Sequence, residues 1–353
     1  MRAMTAPGAL LFNDSPARAK ARAACLILLL AAANVAAWSW AFAAFHAYPL
    51  LLGTAALAYS FGLRHAFDAD HIAAIDNVTR KLMQDGKRPV GVGLFFSLGH
   101  STIVIALSVA IAIFSSVLQT RLDAFKSFGA VAGALVSATF LFAIAIANVF
   151  VLASTWRAFQ RARAGANPAE IDATLVGGLM ARLFRRLFAT VEHSWAMYPI
   201  GLLFGLGFDT APEVGLLGIS ATQAAQGLPI WSILVFPALF TAGMTLVDTA
   251  DSILMLGAYG WAFVEPQRKL FYNLTITATS ILVACLVGGL EVLNLVGDQL
   301  GLTGGGGFWG GIGALNDNFG ALGYVLVGVF GLAWSASWAF YRATGYDRLE
   351  TAN

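Results

Sequence analysis

The chain has 353 residues, 58% of them apolar and only 11% Asp, Glu, Lys or Arg, against the roughly 25% charged residues that coat a soluble domain. This composition excludes a disordered chain, a collagen-like fibre and a secreted disulfide scaffold, and a formal net charge of +2 excludes a nucleic-acid binder driven by bulk basic charge. The two cysteines, Cys25 and Cys285, lie inside apolar runs and support neither a disulfide framework nor a thiolate metal cluster.

A helix that crosses the hydrocarbon core needs about 20 apolar residues. Residues 1–22 read as an N-terminal tail, followed by one transmembrane domain, 23–353, with apolar runs at about 23–46, 49–76, 90–118, 127–153, 194–222, 231–258, 270–297 and 319–341. Barrel strands are about ten residues long, so the predicted fold is all-α, a polytopic membrane protein with eight transmembrane helices. The first run follows Arg18, Lys20 and Arg22 and contains Ala41-Phe42-Ala43, which resembles a cleavage site. It is longer than the roughly 7–15 apolar residues of a signal peptide, so it is read as an uncleaved helix. Residues 154–193 form the longest connector, basic, polar and cytoplasmic. Gly304 to Gly307, with Gly310 and Gly311, suggest a flexible outside loop before the last span.

The basic residues orient these spans. With the N-terminus inside, eighteen of the 21 Lys and Arg residues fall in cytoplasmic segments, and only Arg121 and Lys126 in outside loops. Both termini are therefore expected in the cytoplasm.

A charged side chain in the bilayer interior costs from about 3 kcal/mol upward and needs a partner or a function. Such groups are concentrated in four spans. The second reads Arg64-His65-Ala66-Phe67-Asp68-Ala69-Asp70-His71-Ile72, the third Ser97-Leu98-Gly99-His100-Ser101, the fifth Gly207-Phe208-Asp209-Thr210-Ala211-Pro212-Glu213, and the sixth Gly243-Met244 followed by Asp248 and Asp251. At about 100° per residue, His65, Asp68 and His71 share one helix face, with Asp70 pointing away. Met244, Asp248 and Asp251 form a stripe, and Asp209 and Glu213 are one turn apart. His71 lies nine residues before Arg80, and His100 eleven after Pro89. At about 1.5 Å per residue both sit roughly 14–17 Å into the membrane, near its middle. Imidazoles with carboxylates suit a divalent transition ion of borderline softness, whereas calcium or magnesium favours oxygen-only ligands and copper(I) favours sulfur.

An internal repeat is visible. Phe61-Gly62-Leu63 resembles Phe204-Gly205-Leu206, and Phe96-Ser97-Leu98-Gly99-His100-Ser101 resembles Phe240-Thr241-Ala242-Gly243-Met244-Thr245. Units three spans apart run in opposite directions, the inverted repeat of many secondary transporters. Several residues also have plainer readings. Arg64 is read as a counter-ion to a carboxylate, Met244 as packing, Asn34 as an interhelical hydrogen-bonder, and Gly99, Gly207 and Gly243 as sites of close helix approach.

The four motifs resemble the nickel/cobalt transporter family, the single-chain high-affinity permeases of bacteria. Residues 64–72 are similar to the family's second-helix signature, a histidine followed four residues on by Asp-His; Leu98-Gly99-His100-Ser101 to the third; Leu206 to Ala211 to the fifth; and Gly243-Met244 with Asp248-Thr249 and Asp251 to the sixth. Pro212 departs from the family, which usually has Thr there, and Phe67 stands where relatives vary between Val and Phe. The resemblance implies uptake of nickel(II), and sometimes cobalt(II), with His65, Asp70 and His71 essential and His100 and Asn34 close by. The expected metal ligands are His65, Asp70, His71, His100 and Asp68; Asn34, Arg64, Asp209, Glu213, Met244, Asp248 and Asp251 are expected along the path or behind the ligands. The ion is cargo, no cofactor is expected, and the partners expected are nickel, cobalt and lipid, with neither nucleic acid nor an obligatory protein partner. An exporter would share this chemistry. A membrane metalloenzyme fares poorly, because the chain has no His-Glu-x-x-His and too few histidines for a desaturase.

Overall fold

The computed structural model describes residues 13–118, 122–163, 191–206, 211–262, 266–303 and 305–343. Among these the fold is α-helical without strands: α1 (Ala19–Phe45), α2 (Pro49–His65), α3 (Ala69–Gln84), α4 (Val92–Leu118), α5 (Leu122–Arg163), α6 (Met197–Phe204), α7 (Ala211–Ala225), α8 (Ile230–Ile233), α9 (Val235–Ala262), α10 (Pro266–Gln299), α11 (Gly307–Asp317) and α12 (Phe319–Ala343). Among the described residues five segments are long and apolar enough to cross a membrane, Ala19–Phe45, Val92–Ile113, Val131–Arg157, Ile230–Gly260 and Thr277–Gln299. A pair bent by 82°, Gly307–Asp317 with Ala321–Ala333, makes a sixth. Leu28, Leu50, Leu254 and Leu332 lie more than two-thirds exposed, as expected where lipid rather than water is the solvent.

The expected count of eight uninterrupted spans is not confirmed among the described residues; besides the bent last pair, the exceptions are the second and fifth. Run 49–76 is two helices, α2 and α3, joined by Ala66, Phe67 and Asp68. Asp68 is extended (φ −64°, ψ 144°) in the N-cap position of α3 but makes no side-chain cap hydrogen bond. The chain tightens before it, Phe67 N donating to Arg64 O (3.0 Å) and Asp68 N to His65 O (2.8 Å). Run 194–222 is likewise α6 and α7, and Pro212 is the second residue of α7, in the first turn, where a missing N–H costs nothing. Irregular backbone at this depth survives only inside protein or beside a polar cavity.

Two other expectations change. The glycine-rich stretch read as a loop becomes helix α11 from Gly307 onward, with Ile312 packed into the core formed with Leu290 and Leu326. The fourth span runs on as helix to Arg163, which shortens the cytoplasmic connector; its residues 164–190 lie outside the described ones, as do residues 1–12 of the N-terminal tail.

The repeat is expressed as reciprocal packing. α2 packs along α9, and α6 along α4. A β-carbon added at Gly62 would stand 2.0 Å from Phe240 O, and one at Gly201 1.9 Å from Phe96 O. In return Gly243 faces Tyr59 O (2.8 Å) and Gly99 faces Tyr198 O (2.0 Å). Tyr59 and Gly62 therefore correspond to Tyr198 and Gly201, and Phe96 and Gly99 to Phe240 and Gly243. The second pairing agrees with the sequence reading. The first corrects it by one helical turn, because Gly-Leu occurs twice in succession, at 201–202 and 205–206. Each half lends one helix to brace the other, so that the breaks after His65 and Phe204 take matching places.

Candidate metal centre

Three imidazoles meet at the first break. His65 is the last residue of α2, His71 lies in the first turn of α3, and His100 lies on α4. Ring centroids are 4.6 Å apart for His65 and His71, 4.8 Å for His65 and His100, and 5.0 Å for His71 and His100. Each offers a ring nitrogen within 4.8 Å of the others, and all three residues are buried. The expectation that His65 and His71 share a helix face on one regular helix is corrected: the break at 66–68 turns them toward each other and toward His100.

Carboxylates stand behind the rings. His65 Nδ1 donates to Asp68 Oδ2 (2.8 Å) and His71 Nδ1 to Asp248 Oδ2 (3.2 Å). Ser97 Oγ also donates to Asp248 Oδ2. A proton on Nδ1 leaves Nε2 as the bare nitrogen, and His71 Nε2 is buried with no hydrogen-bond partner. His65 Nε2 faces His100 Nε2 at 3.0 Å. Glu213 of α7 closes the group from the other half of the fold, with Oε1 2.8 Å from His100 Nε2 and 3.8 Å from His65 Nε2. The corresponding aromatics of the two halves line it: Phe96 meets His71 edge-on at 4.7 Å, and Phe240 lies 5.6 Å from His65.

The other expected residues divide. Asp68 is in place, but as the partner of His65 Nδ1. Asp70 Oδ1 accepts the backbone N–H of His71 (2.9 Å), satisfying a first-turn donor of α3. Asn34 is spent elsewhere: Nδ2 donates to Leu30 O (2.9 Å) and Ala242 O (3.3 Å), and Oδ1 accepts from Tyr59 Oη (3.0 Å), which ties α1 to α9 and α2. Met244 packs with Phe236, Phe240 and Ala66 in an apolar cluster. Arg64 is in electrostatic reach of Asp68 but forms no ion pair within 4 Å among the described residues. Asp251 follows Asp248 by one turn, and its Oδ2 is buried without a hydrogen-bond partner. Asp209 lies outside the described residues.

Sequence reasoning missed a second buried network one turn beyond His71. Asp76 Oδ2 accepts from Ser280 Oγ (2.9 Å), and Oδ1 from Tyr259 Oη. Arg80, counted above among cytoplasmic residues, is fully buried and donates to Thr277 Oγ1 (2.9 Å) and Asn77 Oδ1 (3.1 Å). Asn148 Nδ2 also donates to Asn77 Oδ1 (2.7 Å). The network pins α3 to α5, α9 and α10. Its available signal was the spacing of Asp76 and Arg80, which puts them on one helix face. Ser97 carried a similar signal, three residues before His100.

The sequence matches the family described as high-affinity nickel-transport protein (NicO) over residues 51–339. The chain belongs to this family. Within reach of this nickel-transport family assignment, it is 56% identical over 340 residues to a high-affinity nickel transport protein of Cupriavidus necator, covering 96% of each chain. It is 51% identical over 314 residues to the hydrogenase nickel incorporation protein HupN of Bradyrhizobium diazoefficiens, covering 88% of this chain and 81% of that one. The cobalt transport protein NhlF of Rhodococcus rhodochrous is 41% identical over 298 residues, 82% of this chain and 83% of its own. No solved structure matches. Family membership makes the chain a transport protein and removes the metalloenzyme reading.

Proposed function

We propose that the chain is a nickel(II) uptake permease that binds the largely dehydrated ion through His65, His71 and His100, with Glu213 as an oxygen donor from the opposite half. The observation that carries this reading is the convergence of three buried ring nitrogens within 4.8 Å. Neutral nitrogen donors with one carboxylate suit nickel(II) and cobalt(II), and set the site against magnesium and calcium. Relatives named for nickel transport support nickel as cargo, and the Rhodococcus protein, named for cobalt, extends the same chemistry to cobalt(II).

Asp68 and Asp248 act through the rings they hold: each accepts Nδ1–H and so presents Nε2 to the ion. For His100 to ligate through Nε2, that nitrogen must give up its contact with Glu213 Oε1, which leaves the carboxylate beside the cation. Asp70 acts by fixing the first turn of α3 and hence the placement of His71. Asp251, and Asp209 by its place in the fifth span, belong to the path rather than to the ligand set. We place the chain in the cell inner membrane, and the excess of basic residues on one side supports cytoplasmic termini. The exporter alternative draws no support from the relatives.

The test is accumulation of ⁶³Ni in cells expressing His65→Ala, His71→Ala and His100→Ala, paired with nickel titration of the purified proteins in detergent. All three are expected to lose high-affinity binding and uptake. Wild-type accumulation by His65→Ala and His71→Ala ends the proposal. A terminal fusion that fluoresces only in the cytoplasm reads out the orientation.

A further inference from the structure

The helices that carry His65 and His71 are joined by a three-residue link, 66–68, and that link leans on the last helix of the fold. Among the described residues no backbone N–H donates to Phe67 O, as expected where a helix has been interrupted. What faces this carbonyl is Gly323 of α12. A β-carbon added at Gly323 would stand 1.5 Å from Phe67 O, 2.6 Å from Phe67 C and 3.1 Å from Ile72 Cδ1. The Phe67 ring stacks on Tyr324, with centroids 4.4 Å apart and planes at 30°. Ile72, adjacent to His71, shares one apolar cluster with Leu326 and Phe330 of α12. The approach is local to this point, since a β-carbon at Gly328 or Gly331 on the same helix would meet nothing within 4 Å.

We propose that α12 is part of ion recognition: Gly323 seats the helix on the Phe67 carbonyl, Tyr324 caps the Phe67 ring, and together they set the spacing of His65 and His71 that discriminates nickel from cobalt. The proposal rests on the metal-centre reading above. Affinity alone ranks first-row ions in a fixed order, so discrimination between neighbours must come from ligand geometry. The two ligands belong to separate helices, so their separation depends on the conformation of residues 66–68. Gly323 and Tyr324 are positioning residues, since neither touches the ion.

The experiment uses the full chain purified in detergent and the same variants in cells. Nickel and cobalt dissociation constants are measured by titration, the visible ligand-field bands of the cobalt(II)-loaded protein report geometry, and the ratio of nickel to cobalt uptake is measured in cells. Gly323→Ala is expected to weaken nickel binding about tenfold or more, the range for residues that orient metal ligands, and to shift the cobalt bands. Tyr324→Ala is expected to change the nickel-to-cobalt uptake ratio and to shift the cobalt bands. Gly328→Ala and Gly331→Ala should match wild type. Should Gly323→Ala fail to fold, Tyr324→Ala decides. An unchanged spectrum and uptake ratio in Tyr324→Ala, or in a folded Gly323→Ala, overturns the proposal. Wild-type nickel affinity in His65→Ala overturns the metal centre itself, a distinct result.

Discussion

Asp248→Asn isolates the orientation of one ligand from the ligand itself. Asp248 is buried and accepts from His71 Nδ1 (3.2 Å) and from Ser97 Oγ. In the proposed centre the carboxylate would hold the proton on Nδ1 and leave Nε2 free for the ion. An asparagine of the same shape can still accept from Nδ1–H through its oxygen, while its amide turns toward Ser97, whose hydroxyl has Gly93 O as a second acceptor (2.9 Å). Packing therefore survives and the charge is lost. A hydrogen bond to a charged group contributes about 1.5–3 kcal/mol. Loss of such an orienting partner weakens metal binding about 10–100-fold, equivalent to ~1.4–2.7 kcal/mol. These two ranges overlap, so Asp248→Asn should weaken nickel binding by about tenfold to a hundredfold, with Ser97→Ala smaller and His71→Ala larger. Titration calorimetry on purified protein measures the loss directly, and uptake at limiting nickel should follow it. Wild-type affinity in Asp248→Asn alongside lost binding in His71→Ala would refute the orienting role.

Three further outcomes follow from the same contacts. Ligating imidazoles must be neutral, so protons compete with the cation: nickel affinity should fall as pH is lowered and binding should release protons, which calorimetry in buffers of different ionisation enthalpy counts; a flat profile through the imidazole range speaks against histidine ligation. Gly62→Ala and Gly201→Ala, whose new β-carbons would lie 2.0 and 1.9 Å from the facing carbonyl oxygens, should each reduce the yield of monodisperse protein, whereas Gly53→Ala, with nothing within 4 Å, should not; equal yields would contradict the reciprocal crossings. Arg80→Lys cannot span Thr277 and Asn77 with one fork, so the melting temperature of the detergent-solubilised protein should drop, by the ~1.5–3 kcal/mol of a charged hydrogen bond; an unchanged melting curve would make the network energetically idle.

The sequence marked the centre well because the marks were chemical. His65, His71 and His100 are conspicuous in hydrocarbon, and each has been brought to the same place. The breaks were harder to see. Ala66-Phe67-Asp68 contains neither Pro nor Gly, and hydropathy runs straight through it, so the interruption shows only in Asp68, a residue suited to an N-cap as well as to a ligand set. In the fifth span Pro212 gave a clearer sign, yet it sits inside the new helix and not at the gap. Arg80 was misplaced for a related reason: counting basic residues assigns each to a side, and a guanidinium buried among Asn77, Thr277 and Asp76 looks the same in a list of charges as one in water. Gly323 carried no signal of its own among the many glycines of the chain, since its meaning depends on a carbonyl more than 250 residues away.

The unequal furnishing of the two halves has a mechanistic consequence. His65 and Phe204 each end the first helix of a broken pair, His71 and Glu213 are each the third residue of the second helix, and His100 and Met244 follow the paired glycines Gly99 and Gly243. One half supplies imidazole at all three places; the other supplies an aromatic ring, a carboxylate and a thioether. A centre in the first half alone would bind its ion equally well whatever the second half did, and a ligand that binds two states equally shifts neither. Glu213 changes this, because its Oε1 reaches His100 Nε2 at 2.8 Å from across the pseudo-symmetric interface. On the proposed ligand set, a bound ion would hold the halves in the arrangement that keeps Glu213 within reach, and its release would free them to move. Alternating access needs a cargo whose affinity depends on how the repeats stand to one another, and a single carboxylate from the opposing half is sufficient to create that dependence.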